Sequence, residues 1–230
     1  MGDEHLIEEQ VAYYRARAAE YDEWFLRQGR YDRGPVHRAE WFAEIDTMRR
    51  ALSDAVNHGN VLELACGTGL WTGQLARENS HVFAVDASPE AIAINQSSVR
   101  ADNVHYEVAD IFSWMPPRLF DGAFFAFWLS HVPPSRFDSF WGIVRTALTS
   151  RGCVFFVDSL LEQTSTAKDH ALIDNSGIVR RRLNDGREFD IVKVFYEAKP
   201  LERRLLELGW QGWVRSSGKF FFYGLFTPRQ

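Results

Sequence analysis

Three carboxylates at regular separation are the residues whose types and spacing could do chemistry. Glu63 stands four positions before Gly67 in the stretch NVLELACGTGLWT (60–72), Asp86 follows it by 23 residues at the end of HVFAVDA, and Asp110 ends VHYEVAD. A glycine turn such as Gly67-Thr68-Gly69 lets backbone approach a ligand closely, because no Cβ intervenes and positive φ is open to glycine. Glu63 would repel a phosphate at that turn and welcome a cationic ligand carrying hydroxyls and an amine. Asp86 could accept both hydroxyls of a ribose in charge-assisted hydrogen bonds, a role that serves a nicotinamide nucleotide equally well. His131, in FWLSH after a fourth apolar run, could take a proton from a hydroxyl or amine nucleophile; the alternative is a structural histidine at a helix start.

The hydrophobic pattern supplies the elements that must position these residues. Val61, Leu62 and Leu64 form the short apolar run of a buried parallel strand. Strands are predicted at 60–66, 81–87, 104–110, 120–128 and 152–159. Helices are predicted at 71–78, from Ser88-Pro89 to about Arg100, and from about Arg136 to Leu148. This alternation argues a doubly wound α/β fold with a mostly parallel sheet. Upstream, Ile7, Val11, Tyr14, Ala18, Tyr21 and Phe25 make one helical stripe with a break near Tyr21–Asp22. Pro35 opens a second helix, carrying Phe42, Ile45, Met48 and Leu52 to near Gly59. Both precede the first strand and so form an N-terminal cap. Downstream, 160–176 is polar and weakly patterned. Asn184-Asp185-Gly186 then marks a hairpin over 178–196, extra to the sheet and suited to a lid or to a homodimer contact. A helix from Pro200 to Gly209 and a final hairpin joined at Gly218 end the chain.

With 230 residues the chain fits one domain: a cap over 1–58, a core over 59–160, and a lid with C-terminal strands over 161–230. The formal net charge of −5 argues against a nucleic-acid partner. Cys66 and Cys153 lie in apolar strand contexts and read as reduced thiols of a cytoplasmic protein. MGDEHLIEEQ is acidic and polar, unlike a signal peptide, and no apolar run approaches the ~20 residues a membrane span needs. No metal-ligand spacing and no Ser/His/Asp pattern stands out.

Glu63-Leu-Ala-Cys-Gly67-Thr-Gly69 resembles the first motif of class I S-adenosylmethionine-dependent methyltransferases, acid-x-G-x-G-x-G, with Ala65 where the family often has glycine. Asp110-Ile111 strengthens the likeness. In that family the matching acid accepts the adenine amino group and the next apolar residue packs on the ring. Thr72, where G-x-G-x-x-G would place its third glycine, counts against NAD. The motifs cover about residues 60–160, and the flanks match by general shape.

The resemblance implies a seven-stranded, mostly parallel Rossmann-like sheet with its last strand antiparallel, a helical cap over the cofactor, and S-adenosylmethionine as cofactor with S-adenosylhomocysteine as product. The reaction it implies is methyl transfer by in-line displacement to a small-molecule acceptor. Glu63 and the turn at Ala65, Gly67 and Gly69 would hold the methionine end; Trp71 either leans over it or packs in the core. Asp86 with its neighbour Ala87 would hold the ribose, Asp110 and Ile111 the adenine, and backbone near Phe127 the amino group. Tyr14 and Tyr21 of the cap would touch the cofactor carboxylate or the substrate, and His131 is the candidate catalytic base. Arg180, Arg181, Arg182 and Arg187 are either a solvated surface or contacts for an anionic group. Two other readings stand beside this one. An NAD-dependent oxidoreductase would leave Glu63 and Asp110 unexplained, and a catalytically silent cofactor-binding scaffold would block the substrate path. Neither the acceptor nor its nucleophilic atom, oxygen, nitrogen, sulfur or carbon, is specified.

Overall fold

A computed structural model describes residues 3–57, 59–170 and 177–229. The cap begins with α1 (Asp3–Arg17), passes through a 3-10 turn at Ala18–Glu20 and continues as the short α2 (Tyr21–Phe25). The break in the N-terminal stripe thus comes just before Tyr21. Its expected apolar residues Ile7, Val11, Tyr14, Ala18 and Tyr21 do share one side, but that side lines a cavity. The deepest burial belongs to Gln10, Tyr13 and Arg17, one step round the helix. The reason is that α1 is sandwiched: one face meets the cavity, and Tyr13 packs against a hairpin. Next, α3 (Pro35–Ala55) opens at a proline whose fixed φ suits the first turn, and buries Trp41, Ile45, Met48 and Leu52.

The core alternates as the pattern requires: β1 (Asn60–Leu64), α4 (Thr72–Glu78), β2 (His81–Asp86), α5 (Pro89–Val99), β3 (Val104–Val108), β4 (Phe120–Ala126), α6 (Phe137–Ala147) and β5 (Leu148–Ser159). The chain then forms β6 (Ile178–Arg182), β7 (Glu188–Val192), α7 (Ala198–Glu207), β8 (Trp210–Ser216) and β9 (Phe221–Pro228). The main sheet has seven strands in the order β3-β2-β1-β4-β5-β9-β8. The first five are parallel, and β9 enters antiparallel between β5 and β8. Connections diverge between β1 and β4, which opens a crevice at their carboxyl ends. Phe124 and Phe155 point to one face of the sheet, and Phe125 and Phe156 to the other. With a core on both faces, β4 needs no polar alternation, and hence FDGAFFAFW reads as an apolar run.

Several boundaries depart from expectation at the carboxyl edge. β1 ends at Leu64 and β4 at Ala126 because Ala65 and Phe127 adopt left-handed φ of 53° and 57°. β3 ends at Val108, leaving Asp110 in the turn beyond it. α7 starts two residues before Pro200. The β6–β7 hairpin forms a separate two-stranded sheet, and its Val179, Leu183 and Ile191 cluster around Tyr13 of α1. The end of the polar 160–176 stretch, 171–176, lies outside the described residues. Cys66 and Cys153 are free thiols. Among the described residues no helix is long and apolar enough to cross a membrane.

Candidate active site

The site is built on the turn after β1. Ala65, Gly67 and Gly69 hold φ of 53°, 53° and 97°. The turn is held from two sides. The Gly67 amide donates to Asp86 Oδ2 at 2.9 Å, and the Ser88 amide to Oδ1 at 2.8 Å. Behind the turn Asn95 of α5, fully buried, donates to the Gly67 carbonyl at 3.2 Å and to Thr72 Oγ1 at 2.8 Å. A Cβ on Gly69 would lie 2.6 Å from Asn95 Oδ1, so only glycine suits both the conformation and the space.

A cavity opens in front of this turn. Ala65, Gly67, Asp86 and Ala87 line it from β1 and β2, Asp110 and Ile111 from the end of β3, Phe127 and His131 from the end of β4, and Tyr14 and Tyr21 from the cap. Ten of the residues singled out in the sequence therefore meet around one space. Glu63, Gly69 and Trp71 do not. Glu63 is buried beneath the turn near Thr72, because its position in β1 aims it under the loop. Gly69 lies on the rear face against Asn95. Trp71 is buried among Phe25, Phe124 and Phe127.

The carboxylates differ in state. Burial pushes Glu63 up to about 8, with Asp86 adding to the rise and hydrogen bonding to Thr72 opposing it. Glu63 Oε2 has no hydrogen-bond partner. Burial also raises Asp86, against the pull of the amides of Ser88, Gly67 and Ala87. Asp110 is exposed, and its Oδ1 accepts from the Phe112 amide at 3.0 Å, so it caps its own turn while facing the cavity.

A second cavity adjoins the first. Tyr14, Tyr21, Phe127 and His131 line both, so they form the partition. Tyr14 Oη lies 2.8 Å from His131 Nε2, and His131 Nδ1 lies 2.7 Å from the Val192 carbonyl. A carbonyl only accepts, so Nδ1 carries the proton and Nε2 presents its lone pair to the tyrosine hydroxyl. Burial, then the charge of Lys193, hold His131 well below its usual pKa and therefore neutral.

Sequence reasoning missed several residues around this partition. Gln10 bridges the His131 carbonyl and the Val192 amide, each at 3.1 Å, and so ties α1, β7 and the turn after β4 together. Ser130 and Lys193 join Asp158, which is fully buried: Asp158 accepts from the Ser130 amide and hydroxyl at 2.8 Å each and lies 3.7 Å from Lys193 Nζ. A lysine within the apolar run DIVKVF was the available signal for Lys193. A glutamine in a helix carries none. Thr68 also escaped notice; its hydroxyl donates to Asp22 at 2.5 Å and fastens the glycine turn to α2.

Known proteins agree with this geometry. A family described as "Methyltransferase domain" matches residues 61–152. DhpI in its SAH complex is 39% identical over 97% of this chain and 97% of its own, with a TM-score of 0.78. The DhpI-SAM-HEP complex gives 40% identity over 97% and 98%, also at 0.78. The N-methyltransferase NodS of Bradyrhizobium japonicum WM9, solved with S-adenosyl-L-homocysteine, shares the fold at 18% identity, covering 96% and 98% with a TM-score of 0.65. No match exists among curated proteins. The chain belongs to the class I S-adenosylmethionine-dependent methyltransferases. Its activity is methyl transfer from S-adenosylmethionine, and nothing in the site or the comparisons favours the oxidoreductase.

Proposed function

We propose that the cavity before the glycine turn holds S-adenosylmethionine, that the adjoining cavity holds a small-molecule acceptor, and that the methyl group passes at the partition between them. The observation that carries this reading is the shared wall of Tyr14, Tyr21, Phe127 and His131. The donor set of the first cavity fits the cofactor. It is lined by the carboxylates of Asp86 and Asp110, by apolar Ile111 and Ala126, and, among the described residues, by no lysine or arginine. A pyrophosphate would need the Gly67 amide, which Asp86 already occupies.

S-adenosylmethionine supplies a sulfonium methyl that is displaced in line by a nucleophile, the electron pair of the broken carbon–sulfur bond staying on sulfur. Such a step depends on alignment and exclusion of water more than on covalent help from the protein. Asp86, with lone pairs left after its two backbone bonds, takes the ribose hydroxyls. Ala87 flanks it, Ile111 packs on the adenine, and Asp110 accepts its amino group. Ala65 and Gly67, with backbone at Phe127, border the methionine end. Glu63, Gly69 and Trp71 act from behind by fixing the turn. Tyr21 walls the site. Tyr14 passes the proton of a hydroxyl or amine nucleophile to His131 Nε2, which makes His131 the base. The cap over 1–58 and the segment 161–230 work as one unit with the core 59–160, since both contribute to the acceptor cavity.

Calorimetric titration with S-adenosylmethionine and S-adenosylhomocysteine, with NAD as control, tests the cofactor assignment. Both sulfur nucleosides should bind and NAD should not. Asp86→Ala should lose that binding while retaining a cooperative thermal transition; unchanged affinity in the variant would count decisively against the assigned site.

A further inference from the structure

We propose that the second cavity binds an acceptor bearing a compact oxyanion, held by Arg17, Arg181 and Lys193. The word acceptor rests on the function proposed above; the anion site stands on its own geometry.

The four arginines of the hairpin do not act together. Along β6 successive side chains alternate, and the partners follow that alternation. Arg180 is paired with Asp190 at 2.8 Å, and Arg182 is bonded to Glu188. Arg187 is paired with Asp185 at 2.8 Å. Arg181 turns inward and lines the cavity. There, among the described residues, its hydrogen bonds go to neutral groups, Thr166 Oγ1 at 3.3 Å and His170 Nδ1 at 3.2 Å. Arg17 reaches the same space from the end of α1. Its terminal nitrogen donates to the Tyr31 hydroxyl at 3.3 Å, and its buried Nε has no partner. Among the described residues, neither Arg17 nor Arg181 has a carboxylate within ion-pair distance. The third cation, Lys193, bonds to Ser130 Oγ at 2.7 Å.

The available carboxylates are committed elsewhere. Asp158 already accepts from Ser130 and from the Ser159 amide, and stands 3.7 Å from Lys193. Glu162, at the rim, accepts from the amide and hydroxyl of Thr164 at 2.9 and 2.7 Å. Among the described residues, two guanidinium groups, one buried at Arg17 and one half-buried at Arg181, thus face the cavity without a counter-charge, an arrangement that is costly unless an anion joins them. A further donor points the same way: the Tyr13 hydroxyl on this wall is fully buried and unpartnered. The cations also sense one another, since burial and the nearby Arg181 and Arg17 lower Lys193 to about 8 even though Asp158 opposes the shift. Planar guanidinium donors match the oxygens of a phosphoryl or carboxylate group. An anion held at this end leaves the rest of a small molecule to reach the Tyr14–His131 partition.

The test is calorimetry on protein saturated with S-adenosylhomocysteine, titrated with inorganic phosphate, with acetate, and with glycerol as the neutral control. Saturable binding of an oxyanion and none of glycerol is the expected result, and the preference between phosphate and acetate distinguishes a phosphoryl-type from a carboxylate acceptor. Arg181→Met, at a half-buried position, should weaken that binding about tenfold or more, the worth of a hydrogen bond to a charged group, without altering affinity for S-adenosylhomocysteine. Arg17→Met should do the same, with Arg181→Met carrying the test if that variant fails to fold. Binding of S-adenosylhomocysteine with no oxyanion binding, or oxyanion binding equal in wild type and Arg181→Met, overturns the proposal. Failure of S-adenosylhomocysteine itself to bind would instead overturn the cofactor assignment.

Discussion

Glu63→Gln should stabilise this protein at neutral pH. Glu63 is buried, its Oε2 has no partner, and burial lifts its carboxyl from an ordinary 4.5 to about 8. A group held protonated in the folded state above its unfolded pKa contributes stability that is complete at low pH. That stability is lost as the unfolded chain becomes free to ionise. The loss begins as pH rises through the ordinary value of 4.5 and ends at the folded value of about 8. At ~1.4 kcal/mol per pH unit, the full loss is about 5 kcal/mol, of which about 3 has accrued by pH 7. Relaxation around the ionised carboxylate recovers part of this cost. Glutamine copies the shape of the neutral acid and cannot ionise. The variant should therefore be about 1–3 kcal/mol more stable at pH 7, which for a chain of this size is a Tm rise of about 2–4 °C per kcal/mol. Its advantage should vanish near the ordinary carboxyl pKa. Urea denaturation of both proteins across that pH range, without cofactor, measures it. A variant less stable at neutral pH, or an advantage that does not change with pH, would mean that Glu63 is ionised and paired, and the reasoning would fail.

Two further substitutions probe the turn and the partition. Gly69→Ala places a Cβ at a φ of 97° and 2.6 Å from Asn95 Oδ1; it should cost about 2–4 kcal/mol in denaturant titration, and a neutral result would mean that Asn95 can withdraw freely. Tyr14→Phe removes the hydroxyl 2.8 Å from His131 Nε2. It should lower kcat about a hundredfold or more if the pair moves a proton, whereas an unchanged kcat with an acceptor in hand would confine the pair to a structural role.

The fold was legible because its signals are local. Apolar strand runs and a Ser-Pro helix start are imposed by backbone and solvent, and they appear in the chain as written: Ser88 does cap α5, accepting from the Ala91 amide at 3.0 Å. Those signals lost accuracy at the carboxyl edge of the sheet, where Ala65 and Phe127 leave the strand for left-handed conformations that no β propensity favours. A non-glycine residue persists there only because the surrounding structure holds it, and such positions gather at functional sites. The second buried face of α1, which went unseen, has a related cause. Periodicity reports which side chains avoid water without distinguishing a protein neighbour from a ligand cavity, so the stripe through Tyr14 and Tyr21 was found while Tyr13 and Arg17 were not.

By itself the sequence determined the sheet, the cap and the set of residues that end the strands, since each is written in spacing along a few tens of residues. Tertiary structure alone decided which of them share a space. It put Glu63 under the turn and Asp86 in front of it, although both lie toward the carboxyl ends of neighbouring parallel strands. It also separated Arg181 from its neighbours Arg180 and Arg182, which found carboxylates at Asp190 and Glu188. It set the Tyr14 hydroxyl on His131 across 117 residues of chain. Contacts of that range depend on how whole elements pack, and side-chain direction within an element then decides between ligand, core and solvent; neither quantity is carried by the residues one at a time.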